Sequence, residues 1–130
     1  MHGGRVCDRW EGEEELKKVY VASPYTKGDV AVNVREAILA GNALADLGYA
    51  PFIPVLTHFW HLVCPRPYEF WCELDNQFLP HCDAILRVPG ESVGADREVA
   101  LAKSLGIPDF HSVGELHQYF KNAAFIEGKS

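Results

Sequence analysis

Two acidic residues sit where acids are unusual. Asp75 interrupts the apolar stripe of a segment running from Pro67 to about His81, four residues from both Trp71 and Leu79. The stripe itself is Phe70, Trp71, Leu74, Phe78, Leu79 and Cys82, with Glu69, Glu73 and Asn76 placed for solvent. Burying a lone carboxylate is costly unless it is paired or hydrogen-bonded. Asp75 is therefore either a structural anchor bonded to backbone amides or a residue that faces a cleft. Glu98 lies about one turn inside a second segment, Val93 to Leu105, beside the small residues Gly94, Ala95 and Ala102. Ala95, Val99, Ala102 and Leu105 mark the buried side of that segment, and Asp96 and Lys103 point away. Glu98 is either a partly solvated helix glutamate or a carboxylate with room for a ligand. Two carboxylates brought to one cleft suit glycosidic chemistry: one attacks or stabilises the sugar carbon while the other assists proton transfer to the leaving group. An N-glycosidic bond to a base makes the same demand. Retaining geometry holds such carboxyls ~5 Å apart.

Glu98 also closes the stretch Arg87-Val-Pro-Gly-Glu-Ser-Val-Gly-Ala-Asp-Arg-Glu98. An apolar run, Asp83 to Val88, precedes it and reads as a buried strand. Strand, glycine turn and helix start make an anion site, because the first amides of a helix have no acceptor within the helix. The Ser92 hydroxyl and the amides of Val93 and Gly94 can share one phosphate there.

The elements that must position these residues follow from punctuation and period. Lys18-Val-Tyr-Val-Ala22 is β-branched and aromatic and reads as the first strand. Ser23-Pro-Tyr-Thr-Lys-Gly28 is a loop. Asp29 caps a helix from Val30 to Leu47, whose apolar stripe runs Val30, Val34, Ala37, Ile38, Gly41, Leu44, Ala45, Leu47, and Gly48 stops it. Tyr49–Val55 reads as a strand, with Pro51 and Pro54 marking ends or an edge. Thr57–Cys64 is a short helix or lid, and Pro65-Arg-Pro67 breaks it. Pro67 opens the Asp75 helix. Asp83–Val88 is the third strand, Val93–Leu105 a helix ended by Gly106, and Ile107–Phe110 a short fourth strand. Ser112 caps a last helix to about Asn122, beyond which residues 123–130 are a fraying tail. Residues 1–17 are a charged arm, and residues 18–122 form one domain. The alternation predicts a single α/β domain, a Rossmann/flavodoxin-like three-layer sandwich with a parallel sheet of four to five strands. Ligands in such folds sit at the carboxyl ends of the strands. Three loops should meet there: Ser23–Gly28, Pro54–Thr57 and Pro89–Gly94. Ser23, Tyr25 and Lys27 of the first, with Ser92, Val93 and Gly94 of the third, are the candidate substrate-binding residues.

Other patterns exclude chemistry. His58, His61 and Cys64 are metal-ligand types in an H-x-x-H-x-x-C run, but no second ligand cluster follows. The segment, with Trp60, reads as an aromatic lid or core, and no metal is expected. Neither G-x-G-x-x-G nor G-x-x-x-x-G-K-[ST] occurs, which argues against a dinucleotide fingerprint and a P-loop; no cofactor is expected. Cys7, Cys64, Cys72 and Cys82 form no C-x-x-C pair and read as reduced thiols, Cys82 as a small core residue. A formal charge of −6 and a pI near 5.4 argue against non-specific nucleic-acid binding. No apolar run reaches about 18 residues and no signal-peptide core opens the chain, so neither a membrane span nor export is expected and the cytoplasm is the default.

Across residues 18 to 110 the chain resembles the nucleoside 2-deoxyribosyltransferase superfamily, which includes 2′-deoxynucleoside 5′-phosphate N-hydrolases. The resemblance rests on a first strand ending in Tyr-x-Ala-Ser-Pro, an aspartate eight residues before the strand-opening aspartate (Asp75, Asp83), and Ser92-Val-Gly-Ala-Asp-Arg-Glu98. It implies that Glu98 is the nucleophile on the anomeric carbon, that Asp75 protonates the leaving group or positions the sugar, and that Tyr20 lies beside the nucleophile. It implies a 5′-phosphate contact for Ser92, where the transferases carry an aspartate that meets the base, and so a nucleoside monophosphate substrate. The hydrolases carry a glycine- and arginine-rich first loop; here Lys27 stands in for the arginine. The resemblance further implies a homo-oligomer, a dimer or higher, in which helices pack between subunits and complete the site.

Overall fold

The structure is a computed structural model that describes residues 15–129. Most of the expected N-terminal arm, together with Cys7, lies outside the described residues. In chain order the elements are β1 (Lys18–Ala22), α1 (Val30–Asp46), β2 (Ala50–Phe52), a 3₁₀ turn (Pro54–Thr57), α2 (His58–Val63), α3 (Tyr68–Phe78), a second 3₁₀ turn (Leu79–His81), β3 (Ala84–Arg87), α4 (Val93–Ser104), β4 (Asp109–Phe110) and α5 (Val113–Lys129).

The strands form one all-parallel sheet in the order β2-β1-β3-β4. Side chains alternate across a strand. Val19 and Val21 of β1 therefore join Ala84 and Leu86 on one face, under Val34, Ala37 and Leu44 of α1 and Leu116 of α5. Tyr20 and Ala22 join Ile85 on the other, under Ala95 and Ala102 of α4 and Leu79 below α3. With both faces covered, β1 reads as a continuous apolar run. Asp83 sets the register at the amino edge: its carboxylate accepts from the Lys18 amide at 2.8 Å and its own amide donates to the Lys18 carbonyl at 2.7 Å. Cys82 is a buried core residue, and Cys64, Cys72 and Cys82 are free thiols.

The expected α/β architecture is the observed one, with four strands. Differences lie at element ends. The strand expected over Tyr49–Val55 shortens to Ala50–Phe52; Pro51, lacking an amide, sits on an edge strand, and the preset φ of Pro54 starts a 3₁₀ turn. The Asp75 helix tightens into 3₁₀ after Phe78 because Pro80 cannot continue it. Leu105, assigned to the buried side of its helix, is the exposed residue that ends it. The last helix passes Asn122 and runs to Lys129, since Ala123 and Ala124 favour continuation. The stripe on α3 is less buried than its pattern implies: no α3 residue is fully buried, and Phe78 is exposed on one side while stacking on Phe52.

The topology dictates where a crevice opens. After β1 the chain leaves to α1 on one face, and after the adjacent β3 it leaves to α4 on the other. The two loops diverge at the carboxyl ends of neighbouring strands, the usual place for a ligand in an open α/β sheet.

Candidate active site

A cleft of about 620 Å³ occupies that place. The three loops expected to meet there do so: Ser23, Tyr25 and Lys27 come from the first, Pro54, Val55 and Thr57 from the second, and Glu91 to Gly94 from the third. Asp75 from α3 and Glu98 from α4 line the same cleft. Tyr20 lies beneath it, fully buried on β1, and its hydroxyl donates to Glu98 Oε2. Every residue singled out as a candidate from the sequence is thus at one site.

Each is held by local physics. Ser92 is the N-cap of α4, and its Oγ accepts from the Ala95 amide at 3.0 Å. That bond uses a lone pair and leaves the hydroxyl proton to donate, beside the first amides of the helix. Arg87, at the end of β3, is buried and fastens the turn: its Nη2 donates to Asp96 Oδ1 at 2.9 Å and to the Gly90 carbonyl at 2.8 Å, while Nη1 donates to the Val88 carbonyl. Asp96, which the pattern turned to solvent, is largely exposed yet anchors this bond. Gly90 has φ +125°, and a Cβ there would come within 2.7 Å of Pro24 Cγ, so only glycine lets the first and third loops touch. The first loop is pinned twice. Asn33 Nδ2 donates to the Tyr25 and Lys27 carbonyls at 2.9 and 2.8 Å, and Tyr25 Oη meets His58 Nδ1 at 2.7 Å. Lys27 Nζ stands 3.6 Å from Glu91 Oε2 at the exposed rim, a weak pair that an anion can displace.

The electrostatics single out the two carboxyls. Burial pushes the Asp75 carboxyl up to about 7. Glu98 is also pushed up to about 7, by burial first and by the nearby Asp75, against the Tyr20 hydrogen bond and the Arg87 charge, which both lower it. Burial, with the Glu98 charge, holds the Tyr20 phenol protonated. Ser23 Oγ and Asp75 Oδ1 are buried polar atoms with no hydrogen-bond partner within the protein among the described residues. Orphaned polar atoms of this kind are rare in folded proteins, and these two belong to residues lining one cleft. Perturbed carboxyls in a cleft beside a helix N-terminus make this cleft the candidate functional site.

Other lining residues carried no assignment from the sequence: Arg97 beside Glu98, Tyr68, Trp71 and Cys72 on α3, and Asn76, which the pattern had turned to solvent. Arg97 adjoins the nucleophile candidate in sequence, so its position was open to view; Trp71 looks like core on spacing alone, and Tyr68 and Cys72 lie outside the stripe. Nδ1 of His58 meets the Tyr25 hydroxyl, and Nδ1 of His61 accepts from the Trp71 indole and the Arg66 amide. Among the described residues no group of three His, Cys, Asp or Glu side chains is arranged around a metal-sized point, and none of their helices is long and apolar enough to cross a membrane.

No family model and no curated protein matches the sequence. Among solved structures the chain is similar to a 2-deoxyribosyltransferase from the psychrotolerant bacterium Bacillus psychrosaccharolyticus, at 22% identity and a TM-score of 0.50, over 71% of this chain and 69% of that one. The likeness is one of fold.

Proposed function

We propose that the protein cleaves the N-glycosidic bond of a (deoxy)nucleoside 5′-monophosphate. One observation carries the reading: the carboxyls of Asp75 and Glu98 open into one cleft with the N-terminus of α4. Carboxyls on opposite faces of the domain would have excluded it. In this reading a Glu98 oxygen attacks C1′ of the sugar while Tyr20 holds the other. The C1′–N bond breaks, its electron pair passes to the base, and Asp75 delivers a proton to the departing nitrogen. Water then attacks C1′, gives its proton to Asp75 and frees the Glu98 carboxylate. Ser92 and the amides of Val93 and Gly94 hold the phosphate, with Lys27 at the rim and Ser23 and Tyr25 of the first loop lining the same cleft. The resemblance of the Ser92–Glu98 segment to the nucleotide hydrolases favours water as the acceptor. The named activity of the structural neighbour favours a second reading, in which a free base replaces water and deoxyribose moves between bases.

The incompletely buried aromatic stripe of α3 and the exposed Phe59, Leu62 and Val63 of α2 support a homo-oligomer that covers these helices. A cytoplasmic location accords with a nucleoside monophosphate substrate.

The test is incubation with deoxynucleosides and their monophosphates, following free base. Base release that disappears in Glu98→Ala, with the circular dichroism unchanged, is the expected result. A protein that binds the nucleotides without releasing base is a binding module instead. Addition of a second free base separates transfer from hydrolysis by the appearance of a new nucleoside.

A further inference from the structure

His61 is locked in a way the proposed chemistry does not require. Its Nδ1 accepts from the indole Nε1–H of Trp71 at 3.0 Å and from the backbone amide of Arg66 at 3.3 Å. A ring nitrogen that accepts carries no proton, so the proton of the imidazole is on Nε2. Trp71 is itself braced edge-on by Trp60 and Phe70, each with ring centroids 4.9 Å away. His61 and Trp71 both line the cleft that holds Asp75 and Glu98. With Nδ1 occupied by the indole and by the bend after α2, Nε2 is the ring nitrogen left free to meet a ligand in the cleft that His61 lines. His61 therefore offers one fixed donor and no acceptor.

We propose that His61 reads the base: its Nε2–H donates to a ring-carbonyl oxygen of the heterocycle, so that the cleft takes oxo bases in preference to bases with an amino group at that position. The proposal rests on the N-glycosidase reading above. As the C1′–N bond breaks, its electron pair spreads over the base onto the carbonyl oxygen. A prepositioned donor there is stronger in the transition state than in the ground state. An amino group in the same place sets donor against donor and leaves the Nε2–H without a partner, the situation in which a polar site discriminates best.

The experiment compares kcat/KM for 2′-deoxynucleoside 5′-monophosphates that differ by oxo against amino at one ring position: hypoxanthine against adenine, and uracil against cytosine. The native protein is expected to favour the oxo member of at least one pair by about tenfold or more. His61→Phe keeps a ring without the donor and should erase that ratio. His61→Gln, whose amide turns to offer either donor or acceptor, should bring it near unity. Trp71→Phe removes the shorter of the two bonds that hold the tautomer, leaving only the Arg66 amide, and should relax it in part, so the proposal stays testable if one variant fails to fold. Base release with the same ratio in all four proteins overturns the role of His61 and leaves the N-glycosidase reading standing. Absence of base release from every substrate overturns both.

Discussion

The hydroxyl of Tyr20, midway along the buried central strand, donates to the carboxylate of Glu98, 78 residues further along the chain. The bond joins the largest fully buried side chain among the described residues to the residue proposed as nucleophile. It fixes one carboxylate oxygen and leaves the other for the cleft. Tyr20→Phe removes only the hydroxyl and keeps the ring that packs on Phe52. A hydrogen bond to a charged group is worth about 1.5–3 kcal/mol, so kcat/KM is expected to fall by roughly 10- to 100-fold. The same substitution removes an influence that lowers Glu98, so the acid limb of the rate profile should move to higher pH. A profile that stays in place would show that the phenol does not act through Glu98.

The rate should be bell-shaped about neutrality. Glu98 must be ionised to attack, so the rate rises as pH rises through its value of about 7. Asp75 must be protonated to serve the leaving group, so the rate falls as pH rises through a similar value. Asp75→Asn should abolish the falling limb. It should also move the rising limb to lower pH, because the Asp75 charge raises Glu98. Steady-state rates from pH 5 to 9 decide the point; a falling limb that survives in Asp75→Asn assigns the acid elsewhere.

The same two groups bear on stability with a definite sign. Both carboxyls hold protons more tightly folded than unfolded, where they ionise near about 4. Between about 4 and 7 the folded state binds more protons, so stability falls as pH rises through that window. Asp75→Asn should flatten the decline, measured as urea midpoints across the range. An unchanged slope would mean that Asp75 is not the group being desolvated.

Ser92 combines capping with a place in the cleft. Ser92→Asp keeps an N-cap acceptor for the Ala95 amide and puts a negative charge where the phosphate is assigned. Thermal stability should change by less than about 1 kcal/mol. Affinity for a deoxynucleoside monophosphate should drop at least about tenfold, with the unphosphorylated nucleoside little affected, both read by calorimetry. Equal loss for both ligands would place the phosphate elsewhere.

Arg87 holds the turn from the inside. Arg87→Leu leaves the Val88 and Gly90 carbonyls and Asp96 without their donor and should cost about 2–3 kcal/mol in urea unfolding. Lys27→Ala, at an exposed ion pair, should cost well under about 1 kcal/mol. A comparable loss in both would mean that the buried network contributes nothing special.

What the sequence determined by itself is local. Alternation in Lys18–Ala22, the Asp29 cap, the glycine stops and the Pro89-Gly90 turn are written in neighbouring residues, because φ/ψ limits and amphipathic period act over a few positions. From them the strand and helix order, the parallel sheet and the meeting of three loops at one end all follow. The suspicion attached to Asp75 and Glu98 came the same way, from acids placed among apolar or small neighbours. Only the tertiary structure decided that those two carboxyls share a cleft, that Arg87 is buried against Asp96, that Asn76 and Trp71 line that cleft, and that Nδ1 of His61 accepts from the Trp71 indole. The shared cleft depends on how helices on one face of the sheet approach loops far away in sequence, and the Arg87–Asp96 and His61–Trp71 pairs depend on how consecutive elements turn back on one another. Residue spacing fixes which side of its own helix a side chain occupies; packing between elements fixes what that side meets.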